Sequence, residues 1–506
     1  MSHGNGKAIN HNDDKLDEIY QDHKFFGHPR GLGVLGFGNL FNSIAWASFN
    51  AVFIYYLYAP FAKGLGFTQG QAGSIISAMG VCNTLFLIVG SWLADRVLGM
   101  CWALIIGNIV KALGFVLLAV PTVGLDQGRI LMFLALLCLS MPIMGSSNTS
   151  LTAQLYRRTD DARRDAAFTM HNIFNSIGGL VAPVIVGNIS MENYHIGFAI
   201  AAVAALLYGG CIWLFRNKFF GNLGRKPIKP VSKQVLYRMG TISLIVLVLG
   251  LLASYLIIKF NALSLNGLLN LLATMAFVIP ILFFGKLFFN KTIPHGERKV
   301  FKPMRRLLAV QIFQAVIWAV TGPATLMYTD VKLDRTFMGF EFAPATFVSI
   351  GAAFALIFNP LFTFLWTATK MGKSIRSMSK MALSYILGSA SLFVIPLSIV
   401  LSQGKVNPLW YIACLLVDNF TGAIGGPSGV SLMAKMAPKS FETQIQTAWT
   451  QCTTIGNGIG ILFFNLFSDV NQQLNFFPVL GAGSILIGIY LRVIQKSMER
   501  QMVIDE

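Results

Sequence analysis

The sequence predicts an all-α, polytopic membrane protein, and three observations carry this prediction. Apolar residues make up 55% of the 506 residues, whereas charged residues make up only 12%. A soluble chain needs about 25% charged residues to cover its surface, so lipid is the expected solvent. Apolar runs of roughly 20 residues, long enough for a helix to cross the hydrocarbon core, recur along the whole chain. They lack the period-two alternation of barrel strands, which leaves helices.

Fourteen such runs are predicted to be transmembrane helices, numbered here as spans 1 to 14. Spans 1 and 12 exceed the length that a perpendicular crossing needs, so these two helices are predicted to tilt. The spans cover approximately residues 32–59, 70–93, 101–123, 129–153, 166–190, 194–216, 238–260, 264–289, 305–328, 343–368, 377–402, 407–434, 442–467 and 476–496.

Lys and Arg cluster in alternate loops, which predicts the orientation of the chain. Most of the 39 basic residues fall on the side that holds the N-terminus, including Arg157, Arg158, Arg163 and Arg164 after span 4. Because basic loops stay in the cytoplasm, both termini are predicted to be cytoplasmic and the chain to cross the cell membrane many times, with the lipid bilayer as a partner. This distribution explains the net charge of +18, so no nucleic-acid partner is predicted.

The chemistry-bearing residues predict neither an enzyme nor a cofactor or metal site. The six cysteines stand singly, mostly inside apolar runs, and no CxxC or Cys/His spacing occurs. No nucleophile–base pair or phosphate-binding loop has a helpful spacing. The first thirty residues are polar and acidic, which is not the pattern of a cleavable signal.

The segment Gly90-Ser-Trp-Leu-Ala-Asp-Arg-Val-Leu-Gly99 joins spans 2 and 3. It resembles the loop signature of the major facilitator superfamily, and the stretch Trp366 to Gly372 echoes it weakly between spans 10 and 11. Asp95 and Arg96 would lie at a cytoplasmic helix end, where their charges can pair across the bundle and act in gating. The alternative is an ordinary charged loop that closes a helical hairpin.

This resemblance implies the major facilitator fold, with two six-helix bundles and, here, two extra helices between them. The implied domains are a cytoplasmic N-terminal tail at 1–30, an N-terminal six-helix bundle at 31–217, basic linkers with two inserted helices at 218–304, a C-terminal six-helix bundle at 305–497 and a cytoplasmic tail at 498–506.

Further motifs follow one another in a recognisable order. They are His28-Pro-Arg-Gly-Leu, Trp92 to Gly99, Arg163-Arg-Asp-Ala-Ala-Phe168, Asn359-Pro-Leu-Phe, the segment from Gly426 to Pro438, and Trp449. Together they resemble the proton-dependent oligopeptide transporter family. The resemblance implies a symporter of the bacterial inner membrane, and bacterial members carry two extra helices between the bundles, as counted here.

The chain departs from this family wherever the family carries a charged anchor. The E-x-x-E-R-F motif of the first helix aligns with Asn39, Asn42 and Ser43, and the Lys-Pro-Asn motif of the fourth helix starts at Ser146. The Tyr of the fifth-helix motif aligns with Asn172, and the Glu that meets the peptide amino group aligns with Gly422. An ionic clamp for both ends of a peptide therefore cannot form in the usual way.

Three ionisable residues remain inside apolar spans: Lys111, His171 and Asp418. A charge near the bilayer centre is costly, so each is a functional candidate. Asp418 precedes Gly422 by one helical turn, and it could receive a substrate cation or carry the coupled proton. His171 is the second coupling candidate. The alternatives are a locally solvated Asp and a packing His. Lys111 is expected at the bundle periphery, where it can snorkel toward lipid headgroups.

Neutral polar and aromatic residues are dense in the spans and predict a polar cavity that binds substrate. The alternative is hydrogen bonding between helices, which such residues often provide in membranes. The predicted substrate-binding residues are Asn39, Asn42, Ser43, Trp46, Ser146, Asn148, His171, Asn172, Asn175, Gln311, Gln314, Trp318, Asp418 and Trp449.

A glycine pair followed by proline occurs in span 12. Gly425, Gly426 and Pro427 are predicted to break this helix and to provide a hinge for gating. A close crossing of two helices explains the same residues without a hinge.

The combined prediction is a secondary active transporter, a monomer, that moves a small polar organic solute by alternating access. A peptide or a modified peptide-like metabolite is the expected substrate, with protons as the coupled ion and without the usual charged motif of the family. Two alternatives stay open: an uncoupled facilitator or exporter of a non-peptide metabolite, and a transporter-derived receptor or scaffold.

Overall fold

The computed structural model describes residues 11–122, 124–157, 160–227, 265–289, 301–337, 339–436 and 442–502, with single positions between 230 and 241. A short antiparallel hairpin joins β1 (Thr336–Phe337) to β2 (Phe340–Glu341). The helices are α1 (His11–Gln21), α2 (Arg30–Tyr58), α3 (Gln69–Leu93), α4 (Met100–Ala119), α5 (Leu125–Leu139), α6 (Ser147–Gln154), α7 (Asp161–Ile189), α8 (Tyr194–Phe219), α9 (Leu265–Phe288), α10 (Phe301–Val331), α11 (Thr346–Ala368), α12 (Lys370–Ser374), α13 (Ser377–Leu401), α14 (Pro408–Met436), α15 (Glu442–Leu466), α16 (Val470–Asn475) and α17 (Phe477–Met502).

Within the described residues, eleven helices are long and apolar enough to cross a membrane. They coincide with predicted spans 1–3, 5, 6, 8–12 and 14. Helix α15 occupies span 13 and is long enough to cross a membrane. Its polar residues lower its mean hydropathy, so it is not among these eleven helices. Span 7, predicted at 238–260, lies almost entirely outside the described residues.

The prediction of span 4 as one continuous helix is wrong. The run 129–153 is divided between α5 and α6, and residues 140–146 between these helices are not α-helical. Gly145 has a φ of +49°, which ends regular helix, and Pro142 lacks a backbone N–H. The break has a packing reason, because a Cβ placed on Gly90 of α3 would meet the carbonyl oxygen of Pro142 at 1.8 Å. Helix α3 therefore crosses this segment in backbone contact.

The helices pack in two groups, called here the N-terminal group (α2–α8) and the C-terminal group (α10–α17). In the N-terminal group, α2 packs against α7 and α8, while α4 packs against α5 and α8. In the C-terminal group, α13 packs against α14 and α17, while α10 packs against α15. Two helix pairs join the groups, α3 with α15 and α7 with α11, and α9 packs on the outside of the first pair.

The contact between α3 and α15 depends on small residues. A Cβ on Gly80 would approach the Asn457 side chain to 2.6 Å, so a larger residue there would separate the helices. Hydrogen bonds hold the same contact, since Ser74 Oγ donates to Asn465 Oδ1 at 2.9 Å. This pair of helices is consequently a close seam between the two groups.

We call the end of the bundle at which α2 begins the inner face and the end at which α2 ends the outer face. At the outer face, the Tyr58 hydroxyl donates to the Asp330 carboxylate at 2.6 Å. Arg335, just before the hairpin, contacts Asp330 at 3.6 Å and Glu341 at 2.8 Å. The hairpin was not predicted from the sequence. These contacts connect α2 with α10 and the segment after α10 at the outer face.

At the inner face, part of the predicted N-terminal tail forms α1 and contacts the helix ends. Asp17 pairs with Arg157 at 2.6 Å, and Asp22 pairs with Arg30 at 2.8 Å. Burial alone would raise the pKa of the Asp22 carboxyl, but the hydrogen bonds from Arg30 outweigh burial and hold that pKa below its ordinary value. The tail is thus attached to the N-terminal group by charged contacts.

Candidate functional site

Two adjoining cavities lie between the helices. The central cavity, of about 740 Å³, lies between α2, α3 and α7 on one side and α10, α11, α14 and α15 on the other. The C-terminal cavity, of about 350 Å³, lies mainly between α10, α13 and α14. We call the two together the chamber, because both are lined by Trp318, Gly322, Thr325, Tyr411 and Leu415. Each has the size of a small-molecule site.

The wall contributed by the N-terminal group is polar and neutral. Asn42, Ser43 and Trp46 of α2 line the central cavity together with Asn175 of α7, as the sequence predicts. Ser43 Oγ donates to the Asn175 backbone carbonyl at 2.5 Å, so this contact also holds α2 against α7. The same residues therefore serve both roles, cavity lining and helix contact.

The wall contributed by the C-terminal group carries the one carboxylate among the chamber-lining residues. Asp418 of α14 lines the C-terminal cavity. Gln311, Gln314 and Trp449, all predicted from the sequence, line the same cavity. Trp318 is 59% exposed although it lies in the middle of α10, so its indole projects into the chamber. This wall offers hydrogen-bonding groups, one acid and several aromatic surfaces, among them Trp318 and Trp449.

Lys111 corrects a prediction, because it does not lie at the lipid-facing periphery. It is only 6% exposed, and its Nζ donates to Asn42 Oδ1 at 2.5 Å. A second, longer contact of 3.5 Å joins it to Asn108 Oδ1. Its Nζ also lies 5.8 Å from the centroid of the Trp46 ring. Lys111 Nζ therefore lies behind Asn42, a residue of the chamber wall.

Some predicted binding residues do not line either cavity. His171 is 8% exposed, and its Nε2 lies 2.9 Å from Thr152 Oγ1, which matches the alternative of a packing His. Asn39 Nδ2 donates to the backbone carbonyl of His171 at 2.9 Å. Ser146 precedes α6 and is exposed, while Asn148 lies in α6. The expectation that these four side chains line the cavity is wrong in this conformation.

Asn172 has an intermediate position. Its side chain is exposed, and it precedes Asn175 by three residues on α7. Residues three apart share a helix face, so Asn172 lies on the chamber side of α7 but nearer the inner face, outside the lining residues.

The segment with Asp95 and Arg96 is helical and not a loop. It forms one π-helical turn, Ala94–Leu98, that continues α3 and ends at Gly99, whose φ is +79°. The Arg96 carbonyl accepts a hydrogen bond from Val231 N at 3.3 Å. Among the described residues, neither charged side chain forms an ion pair, so the expected charge pairing across the bundle is not present in this conformation.

The predicted break at Gly425, Gly426 and Pro427 is wrong, because α14 continues through all three residues. Gly425 instead fits the alternative of a close crossing, since its Cβ would lie 2.5 Å from Ser384 Cβ of α13. A Cβ on Gly426 would have no atom within 4 Å, and Gly426 lines the C-terminal cavity. The two glycines therefore serve packing and cavity space.

Several lining residues were missed in the sequence. Asn50 and Asn457 line the central cavity. Both are amides inside apolar spans, which is the pattern that predicted Asn42 and Asn175, so the sequence did carry a signal for them. Tyr411 and Thr325 line both cavities, but nothing in the sequence separates them from other Tyr and Thr residues in the spans. Within the described residues, no three His, Cys, Asp or Glu side chains form a group able to hold a metal ion.

Comparison with known proteins gives the family. The chain matches the POT family over residues 101–480, which is well over half of its length. The chain belongs to the POT family. Among POT relatives, it is 29% identical over 493 residues to a protein named di-/tripeptide transporter from Lactococcus lactis subsp. cremoris, covering 94% of this chain and 97% of that protein. It is 26% identical to the peptide transporter YePEPT of Yersinia enterocolitica, covering 90% and 91%.

Solved POT structures share the fold. One is described as peptide transporter POT in complex with sulfate, with a TM-score of 0.89, 24% identity and coverage of 97% and 99% of the two chains. Another, a POT family transporter in complex with 5-aminolevulinic acid, has a TM-score of 0.85 and 26% identity, covering 95% and 99%. The prediction of an all-α, polytopic major facilitator fold and of this family is thereby confirmed, and the chain is a membrane transporter by family.

Proposed function

We propose that this POT-family chain is a secondary active transporter that moves a small polar solute, a peptide or a peptide-like metabolite, by alternating access. The observation that carries the proposal is the chamber, which lies between the N-terminal and C-terminal groups and is lined by both. The two groups would correspond to the predicted bundles at 31–217 and 305–497. A site formed by two bodies changes its access when they rock against each other.

The contacts between the two groups support an inward-facing state. At the outer face, Asn188 of α7 donates to Thr346 Oγ1 of α11 at 3.0 Å and accepts from Ala343 N at 2.9 Å. The contact between Tyr58 and Asp330 lies at the same face. With both termini cytoplasmic, as the basic loops predict, the closed face is the extracellular one. Asp95, Arg96 and the Gly425–Pro427 segment remain proposals for the gating elements.

The chemistry of the walls supports a substrate that has a cationic or hydrogen-bonding group at one end. Relatives with more than 90% coverage are named as di-/tripeptide transporters, which supports a peptide-like substrate. The amides Asn42, Asn175, Gln311 and Gln314 can pair with peptide N–H and C=O groups. Trp318 and Trp449 offer apolar surfaces for a side chain.

Asp418 is the proposed coupling group. It is the one acidic residue among the chamber-lining residues, and the buried neighbour Cys414 and the hydroxyl of Ser391 lie around it in the same cavity. A carboxylate in a low-dielectric site changes its protonation with access to water and with the approach of a cation. Proton release and substrate release can therefore be linked at this residue. His171 is the weaker candidate, because it contacts Thr152 and not the chamber.

Purified protein in proteoliposomes tests the proposal. An imposed inward proton gradient should drive accumulation of a labelled dipeptide by the wild-type protein. Asp418→Asn should abolish accumulation while retaining counterflow, because the amide preserves the shape of the site but cannot ionise. Asp126→Asn is the matched control, since Asp126 is exposed in the first turn of α5 and does not line the chamber.

Each other outcome identifies a rival function. Transport that ignores the proton gradient would identify a facilitator, and outward accumulation would identify an exporter. Tight binding without flux would identify a receptor. Full accumulation by Asp418→Asn would contradict the assignment of Asp418 alone.

A further inference from the structure

A pocket of about 480 Å³ lies between α10 and α17, and we call it the basic pocket. Three cations from the first two turns of α10 line it: Lys302, Arg305 and Arg306. These turns lie at the inner face, because the other end of α10 carries Asp330 at the outer face. The basic pocket shares no lining residue with the chamber, so it is separate from the proposed site of the transported solute.

The three cations have no acidic partner among the described residues. Arg305 instead lies over the ring of Phe288, 5.9 Å from its centroid. Lys302 precedes the two arginines by three and four residues, so all three side chains share one helix face, where like charges repel one another. An anion bound between them would relieve this repulsion.

A neighbouring arginine shows how a cation is satisfied in the same region. Arg492 of α17 donates through Nη1 to Ser379 Oγ at 2.9 Å and to Gln495 Oε1 at 3.0 Å. Within the described part of the chain, Arg305 and Arg306 have no acceptor of this kind. Their donors are therefore available to a ligand in the basic pocket.

The remaining wall of the basic pocket is apolar and continues onto an exposed helix face. Val310 and Ile487 line the pocket together with Tyr490. Leu486 and Val493 share the helix face of Tyr490 by their spacing, and they are 67% and 74% exposed. Large apolar side chains exposed on a membrane-spanning helix contact lipid, so this face leads from the pocket to the acyl chains.

The depth of the basic pocket matches that of lipid headgroups. Toward the bilayer centre the two helices touch, since a Cβ on Gly483 would lie 2.7 Å from Phe313 Cζ. Tyr490 follows Gly483 by two helical turns, about 10 Å, in the direction of the inner face. Tyrosine is typical of the membrane–water interface, where its ring meets lipid and its hydroxyl meets water.

We infer that the basic pocket binds an anionic phospholipid through the phosphate of its headgroup. The guanidinium groups of Arg305 and Arg306 donate charge-assisted hydrogen bonds to the phosphate oxygens, and an acyl chain lies along the exposed face of α17. Basic pockets between helices on the cytoplasmic side suit this ligand, and the basic loops predict that the inner face is cytoplasmic. A free phosphate shares the headgroup chemistry but leaves the apolar wall unused.

Thermal unfolding of the purified full chain in detergent tests the ligand. Phosphatidylglycerol should raise the unfolding temperature by roughly 2–4 °C, the shift that weak binding to the folded state produces. Phosphatidylcholine should not, because its choline would bring a fourth cation to the basic pocket. Glycerol 3-phosphate has the anion without the acyl chains and should not either. An equal rise with phosphatidylcholine or with glycerol 3-phosphate would overturn the inference.

A pair of double variants tests the location. Arg305→Gln/Arg306→Gln should lose the rise with phosphatidylglycerol. The matched control is Arg216→Gln/Lys218→Gln, which removes two cations from the inner end of α8, each of which also lies over an aromatic ring. This control should keep the rise. The same rise in both double variants, or its loss in both, would contradict binding at the basic pocket.

A second pair of variants keeps the test decisive if the arginine variant folds poorly. Ala309 is exposed and lines the basic pocket. Ala309→Asp places an acid beside the cations and should abolish the rise, whereas Ala309→Asn, of the same size but uncharged, should retain it. A rise that survives Ala309→Asp would refute the inference. The readout does not involve transport, so its failure would leave the proposed function unaffected.

Discussion

Tyr58 and Asp330 join α2 to α10 at the outer face, through a hydrogen bond of 2.6 Å from the phenol to the carboxylate. Arg335 contacts the same carboxylate and Glu341, so one acid connects the N-terminal group to the segment that leads into the hairpin. Under the proposed alternating access, a contact of this kind would exist only while the outer face is closed. It would then contribute to the balance between the closed and the open state.

Tyr58→Phe should shift that balance toward opening at the outer face. Loss of a hydrogen bond to a charged group removes about 1.5–3 kcal/mol, which corresponds to at least about a tenfold change in the equilibrium. Labelling of a cysteine placed near the chamber, by an impermeant reagent added outside, should rise accordingly. The same labelling rate in Tyr58→Phe and wild type would contradict this role. Tyr237→Phe, at a described position that lies outside this contact, is the control.

The two glycines of α14 should respond differently to alanine. Gly425→Ala should destabilise the protein by about 1–3 kcal/mol, because the new Cβ meets Ser384 of α13. Gly426→Ala should unfold at or above the wild-type temperature, since nothing lies within 4 Å of its Cβ and alanine favours helix. Thermal unfolding of both variants in one detergent measures the difference. Equal effects would show that the crossing does not depend on Gly425.

Trp318 should affect affinity more than stability. Trp318 is 59% exposed and lines both cavities, so Trp318→Ala removes a binding surface without opening a core cavity. We expect affinity for an aromatic dipeptide to fall about five- to tenfold, the equivalent of an aromatic contact of about 1 kcal/mol, with Trp318→Phe retaining most of it. Binding measured by calorimetry, beside the unfolding temperature, separates the two effects. A large loss of stability with unchanged affinity would place the indole in the core.

His28 makes the inner face sensitive to pH. Burial lowers its pKa below the ordinary value, and its Nδ1 lies 2.8 Å from the Tyr156 hydroxyl. Because the folded state favours the neutral ring, this contribution is complete above the unfolded pKa of about 6.5 and is lost as the pH falls through the lower, folded pKa. The difference in unfolding temperature between wild type and His28→Gln should therefore shrink from pH 7.5 to pH 5. A constant difference would exclude titration of His28.

The fold was largely predictable because each helix that crosses the hydrocarbon core needs about 20 mostly apolar residues. Length and apolarity alone locate most of the spans, including α2 and α13. The division of span 4 was not predictable, because it follows from the contact of Gly90 with Pro142, which joins residues far apart in sequence. Helix α1 and the hairpin depend on ion pairs such as Arg335 with Glu341, which composition does not reveal.

The candidate site was predictable in type and less so in detail. Polar residues in apolar runs correctly indicated Asn42, Asn175 and Asp418 as chamber residues. The same rule also selected His171, but its ring nitrogen contacts Thr152 of the neighbouring helix α6 and not the chamber. The sequence could not exclude His171, because it does not give the rotation of a helix about its axis. Lys111 was misplaced for that reason: its direction depends on how α4 packs beside α2.

The measurement that tests the account most directly is access to Thr325, which lines both cavities. Thr325→Cys is introduced into a background in which the six native cysteines are replaced, and an impermeant maleimide is added to either face of sealed vesicles. We expect labelling from the inner face at rest, labelling from the outer face under a proton gradient, and protection by dipeptide. Absence of labelling from both faces under every condition would contradict a transport chamber.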